Sequence, residues 1–202
     1  MTSRAHGVSS FDKSNLTTAL SRLPTRHRMA FAAACAERLL PLYEQFMSTT
    51  KFGDLKVLRD AVDLVWNFIK GQGRIEQLRS AQRSVEAVTP NTEDFGSSLA
   101  SRALDAASAV AQAIDTCLEP SATTAVETAE IAWECSFGIE QALLFDDESL
   151  RLSIDPRLHD AARGGFVQLE ERMQRDSIAA LADCELSGTD VDHLRDRYAH
   201  LS

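Results

Sequence analysis

Helical periodicity runs along the whole chain, and it constrains the fold more than any other feature of the sequence. Apolar residues recur three and four positions apart, as in Leu58, Val62, Val65 and Ile69. Strand-like alternation of apolar and polar residues between turn residues is absent. A chain of 202 residues, 44% of them apolar, is long enough to build one hydrophobic core without disulfides. The sequence therefore predicts an all-α, single-domain bundle of about seven or eight helices.

Turn residues and capping residues predict where the helices begin and end. Residues 1–10 are expected to form a flexible N-terminal tail, and 11–202 a single helical domain. The helices are predicted at 11–23, 25–50, 55–70, 74–88, 97–118, 124–145, 155–186 and 189–200. Pro41 lacks an amide hydrogen and clashes with the carbonyl four residues earlier, so the second helix is expected to kink or break there.

Side chains that cap free amides support several of these helix starts. Asp54 is predicted to cap the third helix. Thr124 with Glu127, and Thr189 with Asp192, have the spacing of a capping box.

Charge is distributed unevenly between the two halves of the chain. Residues 1–100 hold 13 Lys and Arg against 10 Asp and Glu, a net charge of +3. Residues 101–202 hold 8 Arg and no Lys against 20 Asp and Glu, a net charge of −12. An acidic surface repels nucleic acid and anionic membranes and attracts basic proteins. The small basic cluster at 22–28 has no interleaved aromatic residues, so no nucleic-acid partner is expected.

The cysteines and the N-terminal segment indicate a soluble, cytoplasmic protein with no membrane partner. Cys35, Cys117, Cys135 and Cys184 lie in apolar helical stretches with no zinc-binding spacing, and we expect them to be reduced. The first ten residues contain no apolar signal segment, and no apolar run is long enough to span a bilayer. No cofactor is expected.

Three charged residues stand within strongly apolar helical segments. Glu37, Arg38 and Asp63 are predicted to form a buried polar network between neighbouring helices, with Arg38 paired to Asp63 or to Glu37. A functional pocket with perturbed carboxyl groups is the alternative interpretation of the same residues.

Metal-binding and catalytic patterns are weak. Glu127, Glu130 and Glu134 share one helical face, but no histidine accompanies them, so neither a metal site nor a catalytic residue is assigned. The dipeptide His159-Asp160 is of the kind used by helical metal-dependent phosphohydrolases, with His27 and Asp183 as candidate further ligands.

One stretch resembles a known family. Glu37, Arg38, Pro41, Tyr43 and Phe46 have the spacing Glu-Arg-x-x-Pro-x-Tyr-x-x-Phe, followed by Phe-Gly-Asp at 52–54 and Asp-Leu-Val-Trp at 63–66. A second block lies at 86–95 and 103–106. Together these segments, within residues 30–110, resemble the YjaG-like bacterial family of unknown function. The resemblance implies an all-helical single domain and no particular activity.

The function expected from these features is non-enzymatic protein binding. The hypothesis is an immunity-type protein that neutralises a basic toxin through an acidic helical face formed by Glu127, Glu130, Glu134, Asp146, Asp147 and Glu148. Two alternatives stay open. One is a metal-dependent hydrolase built around His159 and Asp160, and the other is a homo-oligomeric scaffold such as a homodimer.

Overall fold

The computed structural model describes residues 10–144, 162 and 165–199, with side chains described as far as 196. The helices in the first part are α1 (Lys13–Ser21), α2 (Thr25–Glu37), α3 (Leu40–Thr50), α4 (Leu55–Ile69) and α5 (Ile75–Val88). A short 3-10 turn, Thr92–Asp94, leads to α6 (Ser98–Leu118), α7 (Ala122–Leu144), α8 (Phe166–Ala182) and α9 (Gly188–Ala199). Every regular element in these described ranges is helical, and the predicted all-α single-domain fold is confirmed.

Two alanine-rich helices, α2 and α6, form the centre of the bundle. Every residue of α2 from Met29 to Glu37 is buried, because α2 is surrounded by α4, α6, α7, α8 and α9. Alanines on α6 let α2, α3, α4, α5 and α7 pack closely around it. None of the described helices is both long enough and apolar enough to cross a membrane.

The segment predicted as one helix at 25–50 is two helices. The interruption falls at Arg38 and Leu39, and Pro41 lies in the first turn of α3. A proline is well suited to that position, because the first amides of a helix have no acceptor within it. Glu37 and Arg38 lie at the end of α2, beside helices from the far end of the chain.

The helix caps use the predicted types of side chain, but two of the capping boxes lie earlier in the chain than predicted. The Asp54 carboxylate accepts a hydrogen bond from the Lys56 amide at 2.9 Å, which confirms that cap. The capping box at α7 is formed by Ser121 and Thr124, and the one at α9 by Ser187 and Asp190. The predicted pairs were therefore placed two or three residues too far along the chain.

The helix predicted at 155–186 begins later and ends earlier in the described structure. Gly165 has a φ of 116°, which is not helical, and α8 begins immediately after it. The chain leaves α8 after Ala182, and Leu186, with a φ of 52°, turns it into α9. The segment that was predicted to start this helix, at 155–161, lies outside the described residues.

Candidate functional site

Glu37 joins three helices through its buried carboxylate. Its Oε2 accepts a hydrogen bond of 2.6 Å from Nε1 of Trp66 on α4. Its Oε1 accepts one of 3.0 Å from Nε of Arg195 on α9. The same guanidinium also forms an ion pair with Asp63 of α4. Glu37 and Asp63 therefore belong to one network, and its cation is Arg195. The prediction that Asp63 is buried is wrong, because its side chain is about half exposed.

Arg38 points to a different helix. Its Nη2 lies 2.6 Å from Oε1 of Glu170 on α8, and both side chains are almost fully buried. Gln174 donates to Glu170 at 2.9 Å and to the Ala129 carbonyl of α7 at 3.0 Å. Burial disfavours the charge of Arg38, but its interactions with the Glu170 carboxylate and with Cys35 together raise the pKa of the guanidinium.

The pairing of Arg38 with Asp63 or Glu37 expected from the sequence is wrong. Adjacent residues at the end of α2 project in different directions, so Glu37 holds α9 while Arg38 holds α8. The partners are 158 and 132 residues away in sequence.

A signal for the missed partners does exist in the sequence. The buried stripe of α8 consists of Val167, Glu170, Gln174, Ser177 and Leu181, so three polar residues occupy core-facing positions. Polar side chains on an apolar stripe must find partners inside the protein. Arg195 carries no comparable signal, because it stands in a highly charged helix.

The three glutamates of α7 share an outer face. Glu130 lies 2.6 Å from Nζ of Lys13, and Glu127 accepts from Nε2 of Gln112 at 2.9 Å. The Glu130 hydrogen bond raises the pKa of Lys13, and Glu127 and Glu134 add to the effect. All three carboxylates thus act on one ammonium group. The other predicted binding residues, Asp146, Asp147 and Glu148, lie outside the described residues.

Positions of the predicted metal ligands are only partly described. His159 and Asp160 lie outside the described residues. His27 is buried in α2, where its Nε2 lies 2.9 Å from the Cys184 carbonyl. Over the described part of the chain, no three His, Cys, Asp or Glu side chains are grouped so as to hold a metal ion.

The basic cluster at the start of α2 contacts the ends of other helices. Arg26 donates from Nε and Nη2 to the carbonyl of Ile69, the last residue of α4. Arg28 donates to the Leu23 and Pro120 carbonyls, just beyond α1 and α6. Cationic groups stabilise the C-terminal ends of helices, where carbonyls lack partners. These arginines therefore hold the bundle together.

Tyr43 links three parts of the front half. Its hydroxyl donates to the Val88 carbonyl at 2.6 Å and accepts from the Asp54 amide at 3.3 Å. The turn passes so close that a Cβ on Gly53 would lie 2.2 Å from the Tyr43 oxygen. Tyrosine, glycine and aspartate of the motif thus form one packing unit.

Burial makes most of the thiols unreactive. It raises the pKa of Cys35 and Cys117 to about 12 and also raises that of Cys135. Cys184 is the one cysteine that is partly exposed. Because the thiolate is the reactive form, the three buried cysteines are poor nucleophiles.

We expect only one of the four thiols to react rapidly in the native protein. At about pH 8 an aromatic disulfide reagent should modify Cys184 quickly and the other three only after denaturation. Mass spectrometry locates the labels, and equally fast labelling of Cys35 would contradict this prediction.

The raised thiol pKa values also predict how stability depends on pH. The contribution of the buried thiols to the free energy of unfolding is fully present below pH 9.0, the ordinary thiol value, and is lost as pH rises toward 12.

A groove with a cavity of about 360 Å³ separates α1 from α8. On the α1 side it is lined by Phe11, Asp12, Asn15, Leu16 and Ala19. The α8 side contributes Glu171, Gln174, Arg175 and Ile178. From Asp12 and from Glu171 onward, these positions recur every three to four residues, so each helix presents one face to the gap.

Contacts with α7 fix the orientation of this groove. Phe11 packs on Trp133 with ring centroids 6.0 Å apart, while Lys13 reaches back to Glu130. Glu171 accepts from Nε1 of Trp133 at 3.2 Å, and Gln174 reaches back to Ala129. Both helices therefore run antiparallel to α7 and parallel to each other.

Comparison with known proteins identifies the family. Residues 15–199 match the family described as "Protein of unknown function (DUF416)". The chain belongs to the DUF416 family. The YjaG-like resemblance seen in the sequence is therefore confirmed.

DUF416 relatives match this chain over part of their length. "Uncharacterized protein YjaG" from Escherichia coli strain K12 is 30% identical over 76 residues, a match that spans 38% of this chain and 39% of the relative. The protein of the same name from Salmonella typhimurium strain LT2 is 29% identical over the same number of residues.

The DUF416 fold is also seen in a crystal structure. A DUF416 family protein from Shewanella baltica OS155 superposes with a TM-score of 0.73. The alignment covers 91% of this chain and 93% of that protein at 20% identity. At this identity the likeness shows a shared fold.

Proposed function

We propose that this DUF416 domain is a non-enzymatic protein-binding domain that recognises a basic partner through the outer face of α7. The observation that carries the proposal is the excess of carboxylates over cationic groups on this face. Glu127, Glu130 and Glu134 act together on Lys13, so three carboxylates meet one ammonium group. Two other exposed carboxylates each have one cation to themselves, in the pairs Glu44–Arg59 and Asp192–Lys70.

The neighbouring charges on α6 do not offset this excess. Arg102 forms an ion pair of 3.1 Å with Asp105, one helical turn away. Burial raises the pKa of Asp105, and Glu134 adds to the effect, so a further carboxyl group lies near the α7 row. An unbalanced acidic surface accelerates association with a cationic protein. An immunity-type role, in which the partner is a basic toxin, is the specific form of this proposal.

The buried charged side chains and thiols support a binding role over a catalytic one, because they are engaged in packing the helices. Glu37, Arg38, Glu170 and Arg195 hold helices together, and the thiols with raised pKa values are protonated. Groups engaged in this way stabilise the scaffold that presents the α7 face.

The test compares two variants with the same change in charge. In Glu127→Gln/Glu134→Gln the Lys13–Glu130 ion pair remains, and glutamine at 127 can still accept from Gln112. The control, Glu76→Gln/Glu86→Gln, removes two exposed carboxylates from α5. Each immobilised protein is exposed to extract of its own cells at low and at high ionic strength.

We expect the wild type and the α5 control to retain the same basic protein at low salt and to release it at high salt. The α7 variant should retain roughly tenfold less of this protein, because two carboxylates that speed its association and strengthen its binding are lost. Equal retention by both variants, or no basic protein retained by any of them, would overturn the proposal.

A further inference from the structure

The groove between α1 and α8 carries opposite charges at one end and apolar side chains at the other. Phe11 and Asp12 stand at the level of Glu171, because Trp133 contacts both Phe11 and Glu171. Arg175 follows Glu171 by one helical turn, about 6 Å along the axis. Leu16, Ala19 and Ile178 line the remaining length.

Of the three charged residues in the lining, Glu171 accepts from Trp133, while Asp12 and Arg175 have capacity for a ligand. The Asp12 carboxylate accepts from the amide and the side chain of Asn15 and so caps α1. A carboxylate has about four acceptor positions, so further donors can bind. Arg175 is exposed and has no hydrogen bond or ion pair with another residue in the described ranges. The groove therefore offers one acceptor and one donor of opposite charge.

We propose that this groove binds a free α-amino acid with a large apolar side chain. The ligand ammonium group is held by Asp12 against the ring of Phe11, where a cation also gains from the aromatic face. The ligand carboxylate is bound by the guanidinium of Arg175. The apolar side chain lies along Leu16, Ala19 and Ile178.

Charge and size both favour a zwitterion over a simple ion. A ligand with only a positive charge is repelled by Arg175, and one with only a negative charge is repelled by Asp12. Either ligand therefore leaves one of these two groups without a counterion. The cavity of about 360 Å³ lies at the lower end of the range of small-molecule sites, roughly 300–1,000 Å³. Other residues form this site than form the α7 face, and the proposal does not depend on the proposed protein partner.

Isothermal titration calorimetry on the full chain tests the proposal with defined probes. L-phenylalanine and L-leucine are the amino acids, 2-phenylethylamine lacks the carboxylate, and 3-phenylpropionate lacks the ammonium group. We expect at least one amino acid to bind and both single-charge analogues to bind about tenfold or more weakly, because each loses a charge-assisted hydrogen bond.

Three variants locate the binding. Arg175→Gln removes the cation, and Ala19→Leu fills the apolar end of the groove. Arg79→Gln, an exposed change on α5, is the control. We expect the first two to weaken amino-acid binding about tenfold or more and the control to leave it unchanged. Because Arg175 is exposed, Arg175→Gln is expected to fold normally. It therefore tests the site even if Ala19→Leu fails to fold.

The proposal is overturned if neither amino acid binds to the wild type. It is also overturned if phenylethylamine or phenylpropionate binds as tightly as phenylalanine, which would indicate a simple ion site. Unchanged binding in Arg175→Gln would place the ligand elsewhere on the protein.

Discussion

Replacing Arg38 with alanine should lower the free energy of unfolding by about 3–5 kcal/mol. The change leaves the buried carboxylate of Glu170 without its cation, and the side chains of both residues are less than a tenth exposed. An unpaired charge in the interior costs far more than the net gain from the pair. Chemical denaturation followed by circular dichroism measures the difference.

The control for this prediction is an exposed pair of the same chemical type. Arg59 lies 3.2 Å from Glu44, and both side chains are about half exposed. Arg59→Ala should therefore cost less than about 1 kcal/mol. If Arg38→Ala costs no more than Arg59→Ala, the buried pair does not hold α8 in place.

Replacing Gly53 with alanine should destabilise the protein by about 2–4 kcal/mol. Gly53 has a φ of 89°, which side-chain-bearing residues rarely adopt, and its Cβ would lie 2.2 Å from the Tyr43 hydroxyl oxygen. The ring must move, and its partly buried hydrogen bond to the Val88 carbonyl is lost. Thermal and chemical denaturation both report the loss.

A substitution at Gly71 distinguishes backbone strain from the contact with Tyr43. Its φ of 82° is similar, but a Cβ there would meet no atom within 4 Å. Gly71→Ala should cost only the backbone strain, about 1–2 kcal/mol. Equal losses for both variants would show that the contact with Tyr43 contributes nothing.

Helices could be predicted from the sequence because their signals are local. Apolar residues spaced by three and four positions specify α4 and α6, and the Asp54 cap lies next to the amide it binds. Pro41 indicated an interruption in the segment, but the break falls at Arg38 and Leu39. The capping boxes were misplaced because several Ser, Thr and Asp residues near each helix start could serve.

The polar network could be predicted only in part because its contacts are long-range. The apolar surroundings of Glu37 and Arg38 indicated burial, and both are buried. Their true partners depend on where α8 and α9 dock, which local patterns do not specify. The groove between α1 and α8 was not predicted either, since it arises from the way both helices pack on α7.

Different residues hold the bundle together and form the surfaces proposed to bind ligands. The charged residues of the motif at 37–66 and the arginines at the start of α2 bind other parts of the bundle. What the scaffold presents outward is the acidic row of α7 and the groove between α1 and α8, and both proposals concern these surfaces.

A double-mutant cycle on Arg38 and Glu170 tests most directly whether interior charges hold the C-terminal helices to the core. The four proteins are the wild type, Arg38→Met, Glu170→Leu and the double variant, each unfolded with denaturant. We predict that the double variant is more stable than either single variant, with a coupling energy above about 2 kcal/mol. Losses that add to within about 0.5 kcal/mol would contradict the account, because independent residues behave in that way.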